Sequence, residues 1–378
     1  YENATLTADL NKEKEITSLE ESQNILEFCQ DAEFWIDDVK TRHTKRQPPL
    51  PFTTSSLQQE ASQKLSISPK ETMSIAQKLY EKGYITYMRT DSLVLSEEAH
   101  QNIKDKVLQE FGEEYYLKNK KTVGGGNKEK EKGKAKKSNS KAKTKENEEK
   151  KTQDAHEACR PTKFNKNSLT EDESISYREN RLYKLIWNRT MMSQMKPVEC
   201  DITSIKIKIK KDGKVNTYHF ISKKEVITFL GYLKVTEFQK SGAEEVENEE
   251  DNDDEPLQIE IKKGESVKYQ NITAIEKMTR PPNAHFNEAS LIKKLDELGI
   301  GRPSTYATMI SNVQDRNYVE KKTVVGEEKK MKKLVLQKNK VKETEEKVKV
   351  GGEKDKLFPT NLGEIVNRFL LEHFSEIL

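Results

Sequence analysis

Apolar residues recur at helical spacing in some stretches of this chain and alternate with period two in others. Ile25, Leu26 and Phe28 predict a helix over 24–31, and the run from Phe34 to Val39 predicts a strand. Pro48-Pro49-Leu50-Pro51 forms a rigid connector. Leu57, Ala61 and Leu65 share one face of a helix that Ser55 or Ser56 can cap. Ser68-Pro69-Lys70-Glu71 is a further start signal, with a capping Ser, Pro at the first helical position and Glu at the third. Met73, Ala76, Leu79 and Tyr80 continue that helix, and Gly83 suits the position just past its end. A short strand from Tyr84 to Tyr87 is predicted next.

The same order returns later. Asn287 can cap a helix from Glu288 to Leu298, and Gly299-Ile300-Gly301-Arg302-Pro303 joins it to a second helix ending near Arg316. Tyr318-Val319 then begins a strand. Leu65 to Pro69 echoes Leu298 to Pro303, and helix, tight joint, helix, strand is the layout of a winged helix-turn-helix. Two plain helical hairpins fit the spacing as well. Between the two units Ile205, Ile207 and Ile209 alternate with lysines, Asp212-Gly213 turns, and Val215 to Phe220 returns. Leu257, Ile259 and Ile261 alternate again, with Gly264 before a strand from Val267 to Tyr269.

Charge changes this picture in places. Of 378 residues 33% are hydrophobic and 35% charged, so the chain has mass for two to three domains and also for unfolded stretches. Three segments are predicted to be disordered: 118–153, rich in Lys; 243–255, mostly Glu and Asp; and 321–356, rich in both signs, with Leu334-Val335-Leu336 as a strand inside it. The first carries +9 by itself, which leaves the rest of the chain at −6 against an overall +3. A nucleic-acid surface must therefore be a local patch. Only 11 of the 67 basic residues are Arg, yet Arg89, Arg160, Arg302 and Arg316 fall in the polar motifs described next, where a bidentate fork suits phosphate. No run of 18 apolar residues exists, which excludes a membrane-spanning helix. The chain lacks a starting Met and reads as a fragment of something longer. Cys29, Cys159 and Cys200 form no CxxC pair, which suits a reducing compartment and argues against a zinc ribbon in this stretch.

Three motifs carry candidate chemistry. In Ile85-Thr86-Tyr87-Met88-Arg89-Thr90-Asp91-Ser92 a phenol beside a guanidinium can attack a phosphodiester, although an ordinary strand ending in a polar turn also fits. Asp154-Ala155-His156-Glu157-Ala158-Cys159-Arg160-Pro161-Thr162 gathers a His, two acids and an Arg, as a capped turn could. Gly301-Arg302-Pro303-Ser304-Thr305-Tyr306 puts Arg302 at or just before a helix N-terminus, a ready anion site or a plain Pro-started helix.

Taken together these motifs resemble the type IA DNA topoisomerases, closest to the bacterial topoisomerase I branch. Pro51-Phe52-Thr53-Thr54-Ser55-Ser56, Arg181 to Trp187, Phe229-Leu230-Gly231-Tyr232 and Gln314-Asp315-Arg316 agree with that resemblance. It implies an α+β multidomain fold: a toroidal core with a β-rich arch and helical, winged-helix-like domains. Residues 1–46 and 197–275 would form the arch, with 243–255 as an acidic loop. Residues 47–196 would be the helical nucleophile domain with insertion 118–153. Residues 276–378 would be part of the DNA-gripping base with insertion 321–356. The resemblance also implies transient single-strand breakage through a 5′-phosphotyrosine link, strand passage and religation, relaxing negatively supercoiled DNA without ATP. Tyr87 would be the nucleophile and Arg89 the group on the scissile phosphate. His156, Arg160, Arg302, Ser304, Thr305 and Arg316 would contact DNA. The partner would be a single-stranded segment of negatively supercoiled duplex, bound by a cytoplasmic, nucleoid-associated monomer.

One departure is large. The family's Toprim domain supplies the acidic site for Mg²⁺, and nothing in 1–46 matches it, so magnesium is expected in that domain and no metal ligand is expected in this stretch. The chain alone is then expected to be inactive. A tyrosine recombinase or type IB enzyme would carry its Tyr near the C-terminus, downstream of its basic set, whereas Tyr87 precedes every other motif. A non-catalytic DNA-binding piece is a further reading, and topoisomerase III a nearer one that the wording of the Pro51 and Gly299 motifs disfavours.

Overall fold

The computed structural model describes residues 5–11, 16–118, 156–241, 261–277 and 284–374. In chain order the elements are β1 (Asp9–Asn11), α1 (Leu19–Cys29), β2 (Glu33–Arg46), α2 (Thr54–Leu65), α3 (Pro69–Glu81), α4 (Glu97–Glu110), α5 (Tyr177–Met192), β3 (Val198–Lys211), β4 (Lys214–Phe229) and α6 (Lys234–Ser241). Then follow β5 (Ser266–Val267), β6 (Ile272–Ile275), α7 (Glu288–Glu297), α8 (Tyr306–Asp315), β7 (Val319–Val324), β8 (Glu327–Gln337), β9 (Lys340–Val350), β10 (Glu353–Pro359) and α9 (Asn361–His373). The fold is α+β. Among the described residues no helix is long and apolar enough to cross a membrane.

An antiparallel sheet in the order β1-β4-β3-β2-β5 forms one part. Its alternating isoleucines, Ile205, Ile207 and Ile209, meet Phe34, Ile36 and the buried face of α1. The helix begins at Leu19 rather than near Asn24, because Ser18 accepts the Glu21 amide at 3.1 Å and so opens it earlier. The strand predicted over 34–39 runs from 33 to 46, since β3 offers it a partner along that whole length. The strand predicted over 267–269 is only Ser266–Val267. Leu257 and Ile259, all of 118–153 after Lys118, and 243–255, the last two read as disordered, lie outside the described residues.

A second core gathers α2 to α5 around Trp187, Leu79, Ile103 and Phe52, all fully buried. Trp187 donates its indole N–H to Phe164 O at 3.2 Å. Arg189 lies over the Phe52 ring at 5.0 Å and donates to Leu50 O at 2.6 Å, fixing the connector that leads into α2. Ser68 and Pro69 start α3 as predicted, and Gly83 follows its end at φ +74°. The cap of α2 is Thr53, not Ser55 or Ser56.

The charged segment 321–356 is not disordered. It forms β7 to β10, with β7 paired to β10 as a wing and β8–β9 as a ribbon that joins β6. Its charges sit in cross-strand pairs, Lys330–Glu345 at 2.8 Å, Lys332–Glu343 at 2.8 Å and Lys333–Glu346 at 3.2 Å, so a run rich in both signs stabilises a ladder instead of repelling itself. Lys338 and Asn339 at φ +48° and +59° turn the ribbon. The Asn339 carboxamide oxygen accepts the Asp31 amide and the Tyr269 hydroxyl, both at 2.9 Å. Leu334 and Leu336 enter the same core as Ile25 and Ile209. Leu336→Ala should therefore destabilise the purified chain by about 2–5 kcal/mol in denaturant unfolding, and a loss below about 1 kcal/mol would contradict this docking.

The two echoing units pack on each other, α2 against α7 and α3 against α8. Ser66 and Gly299 occupy matching left-handed positions, φ +56° and +70°. The wing, however, follows only the second unit. Gly301 has φ +87°, and a Cβ there would lie 3.1 Å from Met309 Sδ and 3.2 Å from Thr305 Oγ1, so the joint closes only on glycine.

Candidate functional site

The run from Tyr84 to Tyr87 makes one isolated bridge, Ile85 to Pro161, rather than the predicted strand. The reason lies in its hydrogen bonds. The Tyr84 amide is spent on Leu79 O at 2.9 Å, closing α3. The Arg160 amide, which would continue the ladder to the Thr86 carbonyl, instead donates to Thr86 Oγ1 at 3.0 Å. That hydroxyl donates in turn to Ala158 O at 2.8 Å. Downstream, Thr54 at the start of α2 donates its amide to Thr90 O at 2.9 Å.

Met88 is fully buried and plugs into the helical core, while Tyr87 is 43% exposed, its ring edge-on to Tyr80 at 5.2 Å. Among the described residues nothing hydrogen-bonds the Tyr87 hydroxyl. Three other tyrosines are committed: Tyr84 donates to Asp172, Tyr183 to Lys166 O at 2.8 Å, and Tyr306 to Asp296 Oδ1 at 3.0 Å. Burial and then the Asp296 carboxylate push Tyr306 up to about 12. Cys159, wholly buried, is also pushed up to about 12, so it is no thiolate nucleophile for the nearby His156.

Arg89, two residues on, is half-buried and reaches across to the joint between α7 and α8, where its Nη1 donates to Ser304 O at 3.2 Å. A cleft of about 370 Å³ opens beside it between α3 and α8, lined by Lys70, Gln77, Arg89, Ser304, Ser311 and Asp315 among others. Arg302 and Ser304 are exposed on the adjoining joint. Arg302 lies before the helix rather than at its N-cap: its amide donates to Thr305 Oγ1 at 2.8 Å, and Thr305 occupies the cap. Arg316 is exposed at the other end of α8, ten residues and about 15 Å along the axis.

The structure therefore brings Tyr87, Arg89 and the Arg302–Thr305 joint to one region. Arg160 is turned inward. Its guanidinium donates to Glu157 Oε2 at 2.7 and 3.1 Å and to Pro161 O at 3.0 Å. Burial pulls Glu157 upward, but hydrogen bonds from Ser96 and the Arg160 charge outweigh it and hold the carboxyl below its usual range. His156 is exposed at the head of that segment, and Asp154 lies outside the described residues.

No group of three or more His, Cys, Asp or Glu side chains converges among the described residues. Glu157 is occupied by Arg160 and Ser96. Among the described residues no such cluster stands beside Tyr87, so the donor set there does not fit Mg²⁺. Thr54, Thr86 and the lysine and amide lining of the cleft were not singled out from the sequence. The polar stripe Lys70, Ser74, Gln77 at i, i+4, i+7 on an otherwise apolar helix was a readable signal for that lining.

Comparison with known proteins points one way. A family profile described as DNA topoisomerase matches residues 2–344. The prokaryotic-type DNA topoisomerase 1 of Acanthamoeba polyphaga mimivirus is 38% identical over 376 residues, covering 94% of this chain and 39% of its own. DNA topoisomerase 1 of Rickettsia bellii is 37% identical over 325 residues, covering 83% and 36%. Full-length topoisomerase I from Thermotoga maritima superposes with a TM-score of 0.66 at 30% identity, over 98% of this chain and 50% of that one. The chain thus spans well under half the length of these curated relatives.

Proposed function

Because this chain belongs to the type IA DNA topoisomerase family, we propose that it carries the nucleophile of a single-strand breaking and rejoining reaction, with Tyr87 as that nucleophile. The phenolic oxygen attacks a backbone phosphorus, the bond from phosphorus to the 3′ oxygen breaks, and that oxygen takes the proton. The strand is left with a free 3′-hydroxyl and a 5′-phosphate on Tyr87. Reversal reseals it. One phosphodiester is exchanged for another, so no ATP is consumed. A tyrosine titrates ordinarily near ~10, so attack at neutral pH needs a cation at the phosphate. Arg89, two residues on, supplies that charge.

The observation that carries this reading is the Tyr87–Arg89 pair: a half-exposed phenol and, two residues on, a guanidinium that reaches the Arg302–Thr305 joint, on a segment pinned at both ends. Arg302, Ser304 and Thr305 hold the strand on the facing joint, with His156 and Arg316 further along it. Arg160 serves this surface by holding Glu157 and the His156 segment in place. The substrate is a single-stranded segment of negatively supercoiled DNA, bound by a monomer at the nucleoid through its backbone. Magnesium belongs to a Toprim domain in this reading.

The test is plasmid relaxation. The complete protein with Mg²⁺ and no ATP should relax negatively supercoiled plasmid, and residues 1–378 alone should not. An ATP requirement, or relaxation by the 1–378 polypeptide, would overturn the corresponding part of the proposal.

A further inference from the structure

Thr54 is the first residue of α2 and wholly buried. Its hydroxyl donates to Met88 O at 2.7 Å, with Thr90 O as a second acceptor at 3.1 Å, and it accepts the Thr90 amide at 2.8 Å. Met88 C=O belongs to the peptide unit before Arg89, and Thr90 N–H to the unit after it. Peptide units are planar, so binding both to one oxygen fixes the two backbone dihedrals of Arg89. Only a hydroxyl can donate and accept at one such point. The helix does not need Thr54 as its cap, because Thr53 and Ser56 already form a reciprocal capping box. Upstream, Thr86 Oγ1 makes the equivalent knot with Ala158 O and the Arg160 amide. Between the two knots lie only Tyr87, Met88 and Arg89, with Met88 buried as the central plug.

Resting on the proposed transesterification, we infer that Thr54 is a positioning residue for that reaction: its hydroxyl sets the direction of the Arg89 side chain relative to the Tyr87 oxygen, 33 positions away in sequence. Valine keeps the shape and loses both bonds. It leaves the Met88 carbonyl and Thr90 amide unpaired in a buried place, so the segment shifts to repair them and carries Arg89 with it. Displacements of about 1 Å at a reacting group can cost about a hundredfold in rate.

The experiment compares Thr54→Val with Thr54→Ser in the complete protein, reading the single-turnover cleavage rate and the Kd for a single-stranded oligonucleotide, at a temperature where circular dichroism shows each variant folded. The valine variant should cleave about tenfold to a hundredfold more slowly with Kd within about twofold, and serine should restore the rate to within about threefold. Valine cleaving at the wild-type rate, serine as slow as valine, or a loss that resides in Kd would each overturn the inference. Should the valine variant not fold, Thr54→Cys replaces it: a weak donor of nearly the size of serine must cleave more slowly than Thr54→Ser, and equal rates overturn the inference. Tyr87→Phe runs in parallel. If it too cleaves at the wild-type rate, the reading of Tyr87 has failed. If it is silent while Thr54→Val is unimpaired, only the role of Thr54 has failed.

Discussion

Tyr87→Phe in the complete protein is expected to lower strand breakage by about four orders of magnitude or more while leaving single-stranded DNA affinity within about twofold. The substitution removes one oxygen that no other described group uses. The ring keeps its edge contact with Tyr80, and Met88 and the two threonine knots still hold the backbone. The loss should therefore fall on the covalent step alone. Tyr84, Tyr183 and Tyr306 cannot stand in, since each donates its hydroxyl to a fixed acceptor. Residual breakage within about tenfold of the natural protein would mean that another group attacks the phosphate.

The second large effect concerns Arg89. Arg89→Ala should reduce the cleavage rate by about a hundredfold to a thousandfold, the usual cost of deleting a group that stabilises charge developing at the reacting centre. Arg89→Lys should recover only part of this, because a single ammonium cannot span two phosphate oxygens as a guanidinium does. In the structure the guanidinium rests on a main-chain carbonyl, Ser304 O, so a phosphate entering beside it replaces a neutral acceptor with a charged one. Single-turnover cleavage of a labelled oligonucleotide reads this directly. A rate for Arg89→Ala within about threefold of wild type would remove Arg89 from the chemistry.

The candidate site could be named from the sequence because its residues are contiguous: Tyr87 and Arg89 stand two apart, and Arg302, Ser304 and Thr305 lie within four positions. Spacing alone left an ordinary strand and a plain Pro-started helix open, and the roles came from the motifs' resemblance to the type IA topoisomerases. Local start signals were legible where one residue was qualified, as at Ser68-Pro69. Four hydroxyl residues in a row, Thr53 to Ser56, offered four caps. The choice fell to Thr53 because Thr54 is drawn to Thr90, 36 positions away. Residue type gave no hint of that, since the partners are main-chain atoms. The same blindness hid the single bridge at Ile85, where the Thr86 hydroxyl takes the amide of Arg160. Charge misled at 327–350: counted along the chain it looked like solvated loop, but across the ribbon Lys330, Lys332 and Lys333 each pair with a Glu, and Leu334 and Leu336 have a core to enter only once β6 and α1 are beside them.

The most direct test of the central claim is the identity and polarity of the covalent bond. Complete protein is denatured in the act of cleaving a single-stranded oligonucleotide, digested, and the nucleotide-bearing peptide sequenced by mass spectrometry. A 5′-phosphoryl nucleotide on Tyr87, with a free 3′-hydroxyl on the released strand, is the expected result. A 3′-phosphoryl link, or a nucleotide carried on any other residue, would contradict it.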